Sequence, residues 1–210
     1  GNLEEYWNYI EYHSNRMIGG CIWDWADQAL NKPGEPHDRH YFGGSFGDTP
    51  NDNDFCCNGL VTADRRVTPK LQVKKVYQYI SFKMNDKNSV ELHNRYTVHN
   101  MTHFNLHYTL TKDGKVIKEE EFGMPDGKPG ERRTIHVPVE RYLTDPDAAY
   151  FINFEVKLKQ DCVWASAGHV VATEQFVLQE KENKPVEITG DTPGNEPLKV
   201  YEEERRYLRM

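Results

Sequence analysis

Phe104-Asn105-Leu106-His107-Tyr108-Thr109-Leu110, then Lys112-Asp113-Gly114-Lys115, then Val116-Ile117, is the stretch on which the fold turns. Apolar and polar residues alternate with period two, the spacing of a strand that buries one face. Asp113-Gly114 suits a tight two-residue turn, because both central positions of such a turn take a positive φ. Similar alternation appears at Val90–Val98, Thr134–Val139, Tyr150–Leu158 and Val170–Leu178. Six or seven short strands separated by turns predict an immunoglobulin-like antiparallel β-sandwich over residues 85–180. Phe104, Tyr108, Phe151, Phe154, Trp164 and Phe176 are its expected aromatic core.

Toward the C-terminus the pattern dissolves. Residues 181–197 hold prolines and glycines and read as a linker, and 198–210 as the start of a further domain. Toward the N-terminus, residues 1–84 are rich in aromatics and loops. Leu3, Tyr6, Trp7 and Ile10 fall on one face of a helix that ends near Ser14-Asn15. Met17-Ile18-Gly19-Gly20-Cys21-Ile22-Trp23 follows as a short apolar run suited to a buried strand. A helix followed by a buried strand is half of a repeating β/α unit. A second helix is expected over Pro69–Tyr77, with Thr68 as N-cap and Pro69 at the first helical position.

Composition narrows the function. The net charge of −7 and the absence of a basic block argue against a nucleic-acid partner. No apolar run approaches membrane-spanning length, so no membrane partner is expected. Gly1-Asn2-Leu3-Glu4-Glu5 does not read as a signal peptide. Cys21, Cys56, Cys57 and Cys162 form no C-x-x-C pair and read as free thiols. Asp48–Asp54 resembles a calcium loop at first sight. Asn53 and Gly59 stand where such a loop needs Gly and Glu, and the motif fails. His37 and His40 read as solvated loop histidines, Asn100-Met101-Thr102 as a chance glycosylation pattern, and Glu202–Arg206 as a solvated charge run.

The densest block is Gly19-Gly20-Cys21-Ile22-Trp23-Asp24-Trp25-Ala26-Asp27-Gln28, followed by Tyr41-Phe42-Gly43-Gly44-Ser45-Phe46-Gly47-Asp48-Thr49-Pro50 and onward to Val61. In order and spacing it resembles the last barrel strand and following loop of the glycoside hydrolase family 2 β-galactosidases. Ser45 departs from the family's usual Asp, and Thr68 from a common His. The resemblance implies that residues 1–84 are the C-terminal remnant of a TIM-barrel catalytic domain, and that the sandwich spaces it from later domains. It implies an enzyme that hydrolyses terminal β-D-galactosides with retention, through two carboxylates about 5–5.5 Å apart. Both catalytic glutamates of the family fall before the position of Gly1. None of Glu4, Glu5 and Glu11, which fall on the first helix as a solvated face, is assigned catalysis.

By the same resemblance Trp23 stacks on the sugar; Asp24, Trp25 and Asp27 read as structural groups that pack and anchor the loop. The carbonyl of Phe55 and the amide of Asn58 would help hold sodium, a partial ligand set expected to be empty in this chain alone; sodium and magnesium are implied for the parent. The parent is expected to take a β-galactoside and to be a homo-oligomer. The 210-residue chain is expected to be an internal piece that is inactive by itself, its apolar run 17–23 repacking against the sandwich or driving association. The contrasting readings are a stand-alone carbohydrate-binding sandwich, which would need exposed aromatics such as Trp164 or Tyr108 on its surface, and a purely structural or assembly module.

Overall fold

The computed structural model describes residues 2–52, 58–67 and 72–181. Among the described residues, seven strands form two antiparallel sheets. β1 (Ile80–Asp86), β2 (Ser89–Asn94) and β5 (Arg132–His136) make a three-stranded sheet in the order β1-β2-β5. β3 (Phe104–Lys112), β4 (Lys115–Gly123), β6 (Tyr150–Leu158) and β7 (Val170–Gln179) make a four-stranded sheet in the order β4-β3-β6-β7. The chain changes sheet between β2 and β3, β4 and β5, and β5 and β6, the crossed connectivity of an immunoglobulin-like sandwich. The chain is mainly β.

Alternation in the sequence becomes alternation in burial. Leu106, Tyr108 and Leu110 of β3 face inward, as do Tyr150, Ile152, Phe154 and Val156 of β6. Val90 and Leu92 close the core from the opposite sheet. Phe154 is its hub, its ring 5.6 Å from Phe82, 6.3 Å from Tyr108 and 6.3 Å from Phe176. Tyr108 is buried and donates its hydroxyl to Glu120 at 3.1 Å. Burial, reinforced by that carboxylate, pushes its phenol up to about 12. The β3–β4 turn is as expected, with Asp113 at φ 48° and Gly114 at φ 80°. β4 lies at the sheet's edge and carries Lys115, Lys118, Glu119, Glu120 and Glu121.

Gln78 and Asn94 are the buried polar residues among those described, and Asn94 organises the loops beside the core. Asn94 is fully buried, donates to the carbonyls of His99 at 2.8 Å and Gly127 at 2.9 Å, and accepts from the Tyr96 N–H at 3.0 Å. A buried amide with its partners in place organises the surrounding loops, whereas an apolar substitute leaves them unpaired. Asn94→Leu is expected to lower unfolding free energy by about 1–3 kcal/mol in urea denaturation.

Trp164 is not a core residue. It is 66% exposed and stands in the turn between β6 and β7. Apolar types spaced two apart face one side only where the backbone is extended, and residues 159–169 are a series of turns.

Before the sandwich, α1 (Leu3–Asn8) continues into a single π-helical turn, Tyr9–His13, and ends at extended Ser14. α2 (Gln72–Val76) forms within the helix expected over Pro69–Tyr77, and Thr68–Leu71 lie outside the described residues. Trp7 packs on Tyr77 with ring centroids 4.5 Å apart. Its indole N–H donates to Glu11 at 3.1 Å, and the Arg95 guanidinium pairs with both oxygens of that carboxylate. Glu11 is therefore not part of a solvated face; it fastens α1 and its π turn to the sandwich.

The expected strand over Met17–Trp23 does not form. Residues 17–22 have no strand pairing, Met17 and Ile18 are exposed, and the run does not repack against the sandwich core. A parallel barrel strand needs ladder partners on both sides, and no neighbouring strand flanks this run among the described residues. The linker at 181–197 lies outside the described residues beyond Lys181, and 198–210 wholly so.

Candidate functional site

Downstream of the unpaired run, the backbone finds a partner. The Leu60 N–H donates to Asp24 O at 3.1 Å, the Val61 N–H to Trp25 O at 3.0 Å, and the Asp27 N–H to Val61 O at 2.9 Å. Ala26 and Val61 thereby form a parallel bridge. The Asp27 carboxylate adds a fourth tie by accepting the Asn58 N–H at 3.0 Å. This clasp joins segments more than thirty residues apart. Gly59 makes it possible: a Cβ there would stand 2.0 Å from the Asp27 nitrogen, so no side chain fits between the two backbones.

The clasp fixes where the predicted site residues sit. Trp23 immediately precedes it and is 75% exposed, its indole open to solvent. Asn58 lies on the other arm, held by its backbone, and its side-chain amide has no hydrogen-bond partner among the described residues. That amide oxygen is a hard neutral donor of the kind a monovalent cation accepts. Phe55 lies outside the described residues. Asp24 and Trp25 contribute carbonyls to the clasp, and Asp27 contributes both its N–H and its carboxylate. Asp24 Oδ2 accepts from Gln28 at 3.3 Å, while Asp24 Oδ1 is buried without a partner among the described residues.

The loop that follows closes on itself. Leu30 and Tyr41 exchange two backbone hydrogen bonds of 2.9 and 3.0 Å. Lys32 lies over the rings of Tyr41 at 4.6 Å and Phe46 at 5.1 Å. Gly44, at φ 94°, turns the chain so that its N–H donates to Asp48 at 2.9 Å. Asp48 thus serves as a turn cap. Ser45, one of the two departures from the family pattern, accepts the Phe42 N–H at 3.4 Å within this turn. His37 contacts the Asn31 amide at 3.2 Å, and His40 approaches Asp64 at 3.7 Å. The Thr62 hydroxyl and Arg66 hold the Asp64 carboxyl below its ordinary range. No group of three metal-ligating side chains occurs among the described residues.

Between the clasp and this loop lies an open cleft of about 590 Å³, lined by Asp27, Leu30, Tyr41, Phe42, Asp48 and Arg65 among others. Neither Trp23 nor Asn58 lines it. The structure joins Asn58 to the segment that carries Trp23 through the Asp27 carboxylate. Tyr41 and Phe42 were legible only as parts of the quoted block, with no role attached. Among the described residues Cys21 and Cys162 are free thiols, and no helix is long and apolar enough to cross a membrane.

Two family profiles match the chain in succession. "Glycosyl hydrolases family 2, TIM barrel domain" matches residues 1–82, and "Beta-galactosidase, domain 4" matches residues 90–179. A β-galactosidase of Priestia megaterium is 35% identical over 192 residues, covering 88% of this chain and 18% of the relative. One of Alteromonas mediterranea is 36% identical over 186 residues, with coverage of 86% and 18%. One of Vibrio cholerae is 35% identical over 197 residues, with coverage of 90% and 18%. The chain thus spans less than a fifth of the length of these relatives.

Proposed function

Since the chain belongs to the β-galactosidases of glycosyl hydrolase family 2, we propose that it supplies one wall of the galactosyl site in a longer retaining enzyme and is inactive by itself. The observation that carries this reading is the clasp. Four hydrogen bonds tie Asp24–Asp27 to Asn58–Val61 and leave the Trp23 indole exposed beside them. Rigid placement of a bare aromatic plane suits a surface on which the apolar face of a pyranose stacks. Two further features accord with a longer barrel. Tyr6, Tyr9, Tyr12, Ile18 and Trp25 are exposed together on residues 2–30, more apolar surface than one short segment ordinarily leaves in water. The unpartnered Asp24 Oδ1 is a buried acceptor that a neighbouring barrel strand would satisfy.

In this reading the nucleophilic and acid/base glutamates come from residues outside 1–210, flanking the glycosidic bond. Trp23 orients the galactosyl ring. The Asn58 amide oxygen, with the Phe55 carbonyl, would hold a sodium ion beside that ring, where it would supply a fixed positive charge for a sugar hydroxyl. Magnesium, which the resemblance also implies, would belong to the longer enzyme.

Hydrolysis of o-nitrophenyl β-D-galactoside tests the proposal, comparing the 210-residue chain with a longer protein carrying a whole barrel ahead of Gly1. Turnover is expected only in the longer protein. Trp23→Ala there is expected to cut kcat/KM by about tenfold or more, equivalent to about 1.4 kcal/mol of lost transition-state binding. Turnover by the 210-residue chain would mean that a carboxylate within it does the chemistry.

A further inference from the structure

At the end of the sandwich where β3 begins and β6 ends, a cleft of about 500 Å³ opens between the loop after β2 and the turns before β7. Its walls include Tyr96, His99, Thr102, His103, Gln160 and Trp164. The Trp164 turn is tightly pinned. The Cys162 N–H donates to Ala165 O at 2.9 Å, the Ala167 N–H to the Asp161 carboxylate at 2.8 Å, and the Gly168 N–H to Leu158 O at 2.8 Å. The His169 ring meets the indole edge-on, 5.4 Å away at 87°, and the indole is otherwise two-thirds exposed. The facing wall is also fixed: Tyr96 stacks on buried Phe104 at 5.3 Å, and His99 stands edge-on between Tyr96 and His103.

Polar groups complete the lining. The Thr102 hydroxyl, the His103 imidazole, the Lys159 ammonium and the Gln160 amide carry no hydrogen bond or ion pair among the described residues. Lys159 and Asp161 offset one another, so the cleft favours a neutral ligand over an anion. A rigid, exposed indole with hydroxyl, amide, imidazole and carboxylate groups around it matches a ligand with one apolar face and a rim of hydroxyls. The volume falls within the range of small-ligand sites. We propose that this cleft binds a neutral pyranoside, with the sugar ring on Trp164 and its hydroxyls on Gln160, Thr102 and His103. The proposal does not depend on hydrolysis or on Trp23, which lies in another segment of the chain.

Lactose is the probe. Titration of the 210-residue chain, followed by tryptophan fluorescence and by calorimetry, is expected to show saturable binding with Kd in the millimolar range, about 1–10 mM. Trp164→Ala is expected to weaken binding at least tenfold without changing the melting temperature. Gln160→Ala is expected to weaken it severalfold, and because Gln160 is exposed and unpaired, this variant reads the site even if Trp164→Ala is destabilised. Trp23→Ala is expected to leave this binding in place. No saturable signal up to about 100 mM lactose, or binding that survives both cleft substitutions, overturns the proposal. In that event the aromatic cleft is better read as a contact for a protein segment. Loss of binding in Trp23→Ala alone would overturn it too and assign the sugar to the clasp.

Discussion

Phe154→Ala is expected to lower the stability of the sandwich by about 3–5 kcal/mol. The side chain is 1% exposed and touches aromatic rings from three other strands, β1, β3 and β7. Its removal opens a void between the two sheets, and the surrounding rings are held by backbone ladders that relax only in part. Urea denaturation monitored by far-ultraviolet circular dichroism measures the loss. A change below about 1 kcal/mol would mean that Phe82 and Phe176 collapse into the space and that the core is less interlocked than the ring geometry indicates.

Gly59→Ala is expected to break the clasp while leaving the sandwich folded. The new methyl would lie 2.0 Å from the Asp27 nitrogen and 2.5 Å from its Cα, both backbone atoms that cannot turn aside. Relief requires separating the two segments, and the four hydrogen bonds between them go together. At about 0.5–1.5 kcal/mol each, their loss amounts to about 3 kcal/mol of local stability, or about a hundredfold faster amide exchange at Asp27, Leu60 and Val61. Exchange at β3 and β6 amides is expected to stay unchanged. Retained protection at Val61 would show that the segments can separate and pair again around a side chain, and that the placement of Trp23 does not depend on this contact.

The sandwich was legible because its information is local. Every second residue is apolar from Phe104 to Leu110 in β3 and from Tyr150 to Leu158 in β6, and the turn between β3 and β4 carries the Asp-Gly pair that its positive φ angles demand. β1 was the strand left out, although Ile80, Phe82 and Met84 alternate with Ser81 and Lys83. It follows a helix within a handful of residues, and a five-residue alternation there is easily absorbed into the preceding segment. Trp164 was misjudged because residue type was read without backbone conformation.

The candidate site was legible only in part, for a different reason. The block around Trp23 named its residues through resemblance, but the partnership of Asp27 with Asn58 joins positions 31 apart and leaves no periodic trace. Gly59 entered the sequence reading as a mismatch in a calcium-loop pattern; its role is close approach of two backbones, which depends on the other segment. The strand expected at Met17–Trp23 failed on the same ground. Its apolar character describes a preference for burial, and burial requires neighbours that a local pattern cannot supply.

The charged edge strand β4 bears on how this chain behaves at high concentration. Lysines and glutamates crowd one of the two margins of the four-stranded sheet, so adding a strand along β4 is disfavoured by charge desolvation. The uncovered aromatics on residues 2–30 carry no such guard. Association along β4 is therefore disfavoured as a route of strand addition, while face-to-face contact of tyrosine and tryptophan side chains on residues 2–30 meets no such barrier and stops once those faces are covered. The charged strand β4 and the aromatic segment thus differ in the kind of contact each permits.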